Sequence, residues 1–295
     1  MLKLHDWVDI NELNWNELSL NPNAIELLKQ NQNKINWKNL SLNPNAIELL
    51  KKKKNKINWK YLSGNINAIV LLKENQNKIN WEYLSGNENA IEILKENKNK
   101  IEWSVLSQNI NAIELLKENQ DNINWDFLCL NPNVISLLKK NKNYINWRYL
   151  SSNPNAIQLL KKNKNKIHCD IFSENPSAIN ILKKYQNIIY WGNLSKNKNA
   201  IDLLKKNQDK INWDNLSSNI NAIEILKENQ DKINWFIFSK NPNIFTYDYK
   251  QMKENMKESG IVEELMAYIF HPKNMEKWND WGFEEHQDFL KFIDN

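Results

Sequence analysis

NPNAIELL, residues 21–28, returns unchanged at residues 43–50. Looser copies follow in the same register, among them NINAIVLL from residue 65, NENAIEIL from residue 87 and NPNAIQLL from residue 153. Tryptophan keeps a step of 22 residues, without any insertion, at Trp15, Trp37, Trp59, Trp81, Trp103, Trp125, Trp147, Trp191, Trp213 and Trp235. The one missing step holds Cys169. A fixed period over this length indicates one supersecondary unit that is stacked along an axis.

Within one unit the pattern predicts two short helices. Asn36 is a good N-cap for a helix over residues 37–41, and Asn43 caps a second helix with Pro44 at its first position. Between residues 46 and 50 the four apolar side chains share one side of a helical wheel, while the charged side chains lie opposite. We expect Asn55 or a neighbour to end this helix in the left-handed conformation. The prediction is an all-α solenoid of the right-handed type with eleven short helix pairs.

A leucine-rich-repeat-like α/β solenoid is the alternative fold. The unit also matches the leucine-rich-repeat sequence pattern, with Trp37, Leu40, Leu42, Asn45, Ile47 and Leu50 at the recurring positions. In that fold the position of Leu42 would point into the core from a strand. Other units hold Gly, Gln, Ser, Glu or Lys there, and a core strand would not bury Glu or Lys. The pattern therefore favours the helical solenoid.

The ends of the chain depart from the repeat. A solenoid needs caps because its end units would otherwise expose core. We predict an N-terminal cap over residues 1–14, a solenoid over 15–240, and an acidic helical C-terminal cap or docking domain over 241–295. In this last part, helices are expected over residues 249–259 and 261–270, with a stop at Gly260. Two more helices are expected, over residues 272–278 and 283–292.

Composition indicates a folded, water-soluble chain. Of 295 residues, 41% are hydrophobic and 25% are charged, and no apolar run approaches the roughly 18 residues that a membrane span needs. The first residues contain no apolar segment typical of a signal peptide, and two cysteines suggest a reducing compartment. Residues 1–240 carry a net charge of +10 and residues 241–295 a net charge of −5. We expect a cytoplasmic protein without a membrane partner.

Three kinds of residue recur in every unit. The Asn at the start of the second helix is predicted to cap it. The Trp is predicted to lie in the core, because a repeat fold must bury its largest constant residue. A Lys recurs at the position of Lys51, but a Glu or Asp often stands three residues earlier, as Glu48 does, so a solvated face is favoured over a phosphate-binding groove.

No group of residues predicts catalysis. The cluster His168, Cys169 and Asp170 has neighbouring residues about 100° apart on a helix, which does not suit a nucleophile and its base. We interpret Cys169 as a packing variant of the Trp position. His271 and His286 match no metal-site spacing, and there is no Gly-rich phosphate loop. The chain is predicted to be no enzyme, with no catalytic residue, no metal site and no cofactor.

One variable position is the best candidate for recognition. Two residues after the Trp or Cys, six central units carry apolar or aromatic side chains: Tyr61, Tyr83, Val105, Phe127, Tyr149 and Ile171. Towards the ends of the array this position is mostly polar. Variable positions on a constant scaffold are where repeat proteins bind partners. The alternative is that these side chains fill gaps between layers. A straight row of six would suit an extended peptide or a helix.

The repeat NPNAIELLKKNKNKINWKNLS, from residue 43, resembles the Asn-rich repeats of giant-virus proteins of the mimivirus-like kind. The segment GIVEELMAYIFHPKNMEKW, residues 260–278, is similar to a C-terminal segment of such proteins. This resemblance covers most of the chain and implies a viral origin, in the host cytoplasm or the virus particle, but no activity. The expected function is protein binding or scaffolding. The alternative is single-stranded nucleic-acid binding by the basic solenoid surface.

Overall fold

The protein is described by a computed structural model that covers residues 2–269 and 271. The chain is mostly helical (67%), and its helices recur with the period of about 22 residues, so the predicted all-α solenoid is confirmed. Two compact bodies are present: the larger runs from Leu4 to Phe245, and the smaller comprises the residues on either side of it. The larger body contains all eleven repeats, numbered here from the unit at Trp15 to the unit at Trp235.

Each unit begins with a short α-helix, here called the first helix. The first helices are Trp15–Leu18, Trp37–Leu42, Trp59–Ser63, Trp81–Ser85, Trp103–Leu106, Trp125–Leu128, Trp147–Ser152, Cys169–Glu174, Trp191–Lys196, Trp213–Ser217 and Trp235–Phe238. Units one to ten continue with a second helix. The second helices are Ile25–Gln30, Ile47–Lys52, Ile69–Glu74, Ile91–Glu96, Ile113–Glu118, Ile135–Lys140, Ile157–Lys162, Ile179–Lys184, Ile201–Lys205 and Ile223–Glu228.

Short 3-10 turns connect these helices. Before the second helix they occur where Pro follows the capping Asn, at Pro22–Ala24, Pro44–Ala46, Pro132–Val134, Pro154–Ala156, Pro176–Ala178 and Pro242–Ile244. After the second helix they lie at Gln32–Lys34, Lys54–Lys56, Gln76–Lys78, Lys98–Lys100, Gln120–Asn122, Lys142–Tyr144, Lys164–Lys166, Gln186–Ile188, Gln208–Lys210 and Gln230–Lys232. The leucine-rich-repeat alternative is wrong, because the described part has only one two-stranded sheet, Leu2–Leu4 with Phe245–Tyr247, outside the repeated helices.

The caps explain where the helices start. Asn36 lies in the extended region, and its side chain accepts a hydrogen bond from the Asn39 N–H, as predicted. Asn43 likewise accepts from the Asn45 N–H, with Pro44 at the first position of the following 3-10 turn. The predicted left-handed end of the second helix is wrong. No described residue other than Gly260 has a positive φ, and the helix instead ends at Lys53, with φ −128° and ψ 52°, which leads directly into a 3-10 turn.

Three positions per unit form the core. In unit two these are Leu40 on the first helix, Ala46 in the turn and Leu50 on the second helix, and none of them has any exposed surface. The same positions are buried in the other units, with Phe172 and Phe238 in place of the first-helix Leu and with Val134 and Ile244 in place of the Ala. The second-helix position exists only in units one to ten. The helices have only four to six residues and are too short to persist alone. Burial between layers therefore supplies most of their stability.

Buried asparagines join each unit to the one before it. The Asn43 Nδ2 group donates to the carbonyl oxygens of Ser19 and Asn21, at 3.0 and 2.8 Å. Every later copy of this residue donates to the preceding copy in the same way. Asn45 adds a bond to the Pro22 carbonyl at 2.9 Å. The predicted capping role needs a correction: the Asn caps the 3-10 turn before the second helix, whose own N-cap Ala46 makes no side-chain bond. The same amide also holds the neighbouring layer.

A serine at the end of the first helix makes a second inter-unit connection. The Ser41 Oγ donates to the Trp37 carbonyl at 2.8 Å and accepts from the Asn58 N–H of the next unit at 2.9 Å. Cys129 occupies this position in unit six and is fully buried. Main-chain groups at each junction are thus satisfied by side chains in every layer, which fixes the register between neighbouring units.

The same hydrogen bonds close the array into a ring. Asn21 of unit one donates to the carbonyl oxygens of Ser239 and Asn241 of unit eleven, at 3.1 and 2.9 Å. The Asn14 N–H donates to the Ser239 Oγ at 2.8 Å, and Asn23 donates to the Pro242 carbonyl at 2.9 Å. Each of these hydrogen bonds has an equivalent between neighbouring units inside the array. Unit eleven therefore serves as the preceding neighbour of unit one.

Closure changes the predicted domain ends. The boundary at residue 240 is wrong, because Asn241 and the turn Pro242–Ile244 complete the eleventh unit. Within residues 1–14, Val8 and Leu13 are buried and the Trp7 ring stacks on Phe238 of unit eleven, with ring centroids 5.8 Å apart. This segment therefore packs against unit eleven as well as preceding unit one.

The smaller body contains two helices, Tyr249–Glu258 and Ile261–Ile269, separated by Gly260 with φ 71°. Both were predicted, as was the stop between them, since glycine adopts a positive φ without steric cost. The helices expected over residues 272–278 and 283–292 lie outside the described residues.

The first helices form the inner wall of the ring. First helices of neighbouring units pack directly against one another, whereas second helices mainly contact the 3-10 turns of their own unit. In a closed ring the circumference is shorter on the inside, so the more closely packed layer lies there. The second helices, with their exposed Glu and Lys side chains, form the outer wall.

Candidate binding surface

The six residues predicted for recognition lie on one strip of the inner wall, called here the apolar row. Each stands two residues after the start of its first helix and directly before the fully buried residue of that helix. All six are half-buried: Tyr61, Tyr83, Val105, Phe127, Tyr149 and Ile171. They fill space between layers on one side and face solvent on the other. Their half-burial agrees with packing between layers, and a role in recognition stays a prediction.

Neighbouring members of the row contact one another. The rings of Tyr61 and Tyr83 lie 5.4 Å apart between centroids and are tilted by 51°, and those of Phe127 and Tyr149 lie 6.2 Å apart. Gly64 leaves the space that Tyr83 occupies, since a Cβ on Gly64 would come within 3.3 Å of that ring. Likewise, a Cβ on Gly86 would come within 3.2 Å of the Val105 side chain. Four of the six members therefore form two aromatic pairs.

Charged side chains of both signs border the row. The Lys38 and Lys60 ammonium groups lie 5.1 and 5.2 Å from the ring centroids of Tyr61 and Tyr83, as cation–π pairs. At the other end Arg148 forms an ion pair with Asp170 at 2.9 Å. Burial alone would raise the pKa of the Asp170 carboxyl, but the Ile171 N–H and the Arg148 guanidinium outweigh it and hold that pKa below its usual range.

Ring closure bends the row. The six units that stacking brings into one row occupy an arc of the closed eleven-unit ring, so the row follows that arc. The remaining five units complete the circle with Asn193, Asn215, Ile237, Glu17 and Asn39, which are mostly polar. The inner wall therefore has an apolar arc and a polar arc.

The inner wall carries nearly balanced charge. At positions one, two and five after the start of each first helix there are five basic and six acidic residues. They are Glu17, Lys38, Lys60, Glu82, Asp126, Arg148, Asp170, Glu174, Lys196, Asp214 and Lys240. A wall that encircles nucleic acid needs an excess of positive charge to hold phosphates. This wall has none.

The recurring tryptophans are not core residues, and that prediction is wrong. All ten are half-buried, and the fully buried residue is the one three positions later. In five units a Lys ammonium lies 4.5 to 4.7 Å from the indole centroid, as Lys78 does over Trp59. This Lys follows its Trp by 19 residues in most units, a spacing that the sequence contains. The indole thus packs under an aliphatic Lys stem, which covers it.

Unit eight replaces both partners of this pair. Cys169 stands in place of the Trp, and Ile188 stands where most units have the Lys. Both are half-buried, and Phe172 fills the adjacent core position completely. The interpretation of Cys169 as a packing variant fits this coupled change. Its neighbour His168 makes no side-chain cap bond.

The Lys row of the second helices pairs with acids, as expected, in four units. Lys51 and Glu48 are 2.8 Å apart, and the pairs of Lys29, Lys95 and Lys117 are equally close. Hydrogen bonding from Lys51 holds the pKa of Glu48 below its ordinary value. The partners remain exposed, so water screens each pair and its contribution to stability is small.

No cluster of three His, Cys, Asp or Glu side chains able to hold a metal ion occurs in the described part. Burial raises the pKa of the Cys129 thiol to about 11, against a smaller opposing effect of the Asn146 N–H. No described helix combines the length and apolar character needed to cross a bilayer. Compared with known protein families, curated proteins and solved structures, the chain gives no match.

Proposed function

We propose that this protein is a non-enzymatic binding or scaffold ring that takes an extended peptide or a short helix of a partner protein against the apolar row. One observation carries this proposal: six successive units present half-exposed aromatic or aliphatic side chains, four of them in two contacting pairs, between charges of both signs. Large apolar strips on a soluble surface commonly mark interaction sites. Mixed flanking charges favour a mixed-charge peptide over a polyanion.

Selection of peptides by phage display on the whole ring, followed by fluorescence anisotropy of the selected peptides, tests the proposal. The variant Tyr83→Ala with Phe127→Ala should bind the selected peptides at least 100-fold more weakly, because buried aromatic anchors contribute about 2 kcal/mol each. The matched control is Tyr249→Ala with Phe236→Ala, which removes two exposed rings outside the row.

Melting temperature separates the two readings of the row. Binding lost with a melting temperature within a few degrees of the parent supports a recognition surface. The opposite result would be a melting temperature of the row variant that is lowered by more than about 10 °C, while the peptides bind the control variant and the parent equally. That result would assign the row to interlayer packing. Failure to select any peptide would contradict the proposal outright.

Because the repeats resemble those of giant-virus proteins, we also propose a viral origin, with the protein in the host cytoplasm or the virus particle. Mass spectrometry of purified particles and of infected cells would test this. Single-stranded nucleic acid is the alternative partner. The balanced charge of the inner wall does not support nucleic acid there, so any such binding belongs to the outer wall.

A further inference from the structure

Positive charge on the outer wall is concentrated in three successive units. Residues 131–190 contain ten Lys or Arg and two Asp or Glu, a net charge of +8. Residues 1–240 together carry +10, so the other three-quarters of that stretch carry only +2. The concentration follows from changes at two positions of the second helix. The acid that stands three residues before the second-helix Lys in most other units is replaced by Ser136, Gln158 and Asn180. The residue after that Lys is Lys140, Lys162 and Lys184, where units three, four, five and ten have Glu.

Nine lysines form this surface, called here the lysine patch: Lys139, Lys140, Lys142, Lys161, Lys162, Lys164, Lys166, Lys183 and Lys184. All nine are exposed. In the described part of the chain, Lys183 is the only one with a carboxylate within 4 Å, that of Asp202 at 3.9 Å. The two acids of the segment, Asp170 and Glu174, belong to a first helix and so to the inner wall. The positive charge of the patch is therefore uncompensated.

Exposed tyrosines accompany these lysines in two of the three units, units six and eight. Tyr144, Tyr185 and Tyr190 are 56%, 47% and 55% exposed, where most other units have Lys or Asn. Tyr144 stacks on Trp125 with centroids 4.8 Å apart and planes 17° apart, beside an open depression that both rings line. One face of the Tyr144 ring is held by the indole, and the ring is supported in a fixed orientation.

We propose that the lysine patch with its three tyrosines binds single-stranded nucleic acid. Lysines hold phosphates as point charges, and tyrosine rings stack on bases of any identity. Arg148 is the only arginine in the chain and is paired with Asp170, so bidentate recognition of guanine is absent. Binding should therefore depend on charge and stacking, with little sequence preference. This site goes beyond the peptide-binding row and lies on the opposite wall.

The shape of the outer wall favours a single strand over a duplex. The wall is convex and turns through a full circle in eleven units, and three units cover more than a quarter of it. Double-stranded DNA stays stiff over about 50 nm, so it can touch such a wall only along a short tangent. A single strand can follow the curve and contact successive units.

Anisotropy of a fluorescein-labelled 20-nucleotide oligouridine, with the full chain, tests the site at 50 to 200 mM salt. About five phosphate contacts would give a slope of log K against log salt of about −3.5. The variant Lys139→Gln, Lys161→Gln and Lys183→Gln should bind at least tenfold more weakly and lower the magnitude of that slope by about 2. The matched control, Lys29→Gln, Lys95→Gln and Lys117→Gln, changes the same helix position and the same net charge and should lose less than twofold.

Tyr144→Ala tests stacking separately. It should weaken oligouridine binding roughly tenfold while leaving the salt slope unchanged. Equal losses in the two lysine triples would mean that only total charge matters and would overturn the site. Absence of oligouridine binding by the parent, or tighter binding of polyglutamate or of phosphatidylserine vesicles than of oligouridine, would overturn the nucleic-acid assignment. The double variant Tyr83→Ala with Phe127→Ala should bind oligouridine like the parent, which keeps this test independent of the peptide proposal.

Discussion

At the scale of single residues, a buried asparagine both caps the turn before the second helix and connects two layers. Asn87 accepts from the Asn89 N–H at 3.0 Å and donates to the carbonyl oxygens of Ser63 and Asn65 at 3.0 and 2.9 Å. A serine or aspartate could provide the acceptor alone. Only an amide provides an acceptor and two donors on one short side chain.

Substitution of Asn87 by aspartate separates these two roles. Aspartate is as good a cap as asparagine, but here its carboxylate would face two carbonyl oxygens in a buried site. We expect Asn87→Asp to lower the free energy of unfolding by about 3 kcal/mol or more, and Asn87→Ala by about 2 kcal/mol. Urea denaturation measures both. Asn77→Asp, at an exposed position, is the control and should change the stability little. Equal stability of the Asn87→Asp variant and the parent would leave capping as the only role.

The two cysteines should differ in reactivity. Cys129 is fully buried, and burial raises the pKa of its thiol to about 11, whereas Cys169 is half-buried. Since the thiolate is the reactive form, Cys129 stays protonated and shielded at pH 8. Iodoacetamide should modify Cys169 first and reach Cys129 only on unfolding, as peptide mass spectrometry would detect. Modification of both at one rate in the native protein would contradict this.

At the scale of the element, unit eight has lost local interactions that its neighbours keep. Cys169 replaces the Trp, Ile188 replaces the Lys, and His168 does not cap the first helix of this unit through its side chain. The inter-unit bonds survive, since Asn175 still donates to the carbonyl oxygens of Ser151 and Asn153. The substitutions therefore weaken one helix without breaking the stack.

Hydrogen exchange should show this difference. We expect the amides of Cys169–Glu174 to exchange about tenfold faster than those of Trp147–Ser152, because a missing N-cap bond costs about 1 kcal/mol. Trp147–Ser152 is the internal reference because Asn146 caps it. Equal protection of the two helices would show that the packing of Phe172 and Ile188 compensates fully.

At the scale of the whole repeat array, closure removes the weak ends of a solenoid. An open array leaves its first and last units with one neighbour each. Here Asn21 and Ser239 form across the junction the bonds that join every other pair of units. The Lys240 ammonium also lies 3.9 Å from the Glu17 carboxylate. Every unit therefore has two neighbours.

The junction between units eleven and one can be tested by comparing its serine, Ser239, with the equivalent serine inside the array, Ser107. Ser239 accepts from the Asn14 N–H at 2.8 Å, and Ser107 accepts from the Asn124 N–H at 3.0 Å. If the ring is closed in solution, Ser239→Ala and Ser107→Ala should each lower the free energy of unfolding by about 1–2 kcal/mol, since both leave a main-chain donor without a partner. Urea denaturation compares them. A Ser239→Ala variant as stable as the parent, with Ser107→Ala destabilised, would mean an open array.

The 22-residue period, the two helices of each unit and the buried first-helix Leu could all be predicted from the sequence. These features depend on contacts within one unit, where the spacing of Asn, Pro and apolar residues directly expresses capping and burial. The position of the apolar row could be predicted as well, because variation against a constant background marks it. The half-burial of Trp59 could not be predicted, because Lys78, which covers the indole, follows it by 19 residues, far more than the three or four residues of helical spacing.

Only the tertiary structure decided that the array closes and which wall each residue faces. A closed ring of eleven units needs a rotation of about 33° per unit, set by the difference in packing distance between inner and outer helices. That difference comes from many small contacts, such as the fit of Tyr83 over Gly64, and no single residue encodes it. Curvature accumulates over the whole array, so an error of a few degrees per unit would leave the ring open. The local pattern of the sequence determines the unit, and the sum of inter-unit contacts determines the ring.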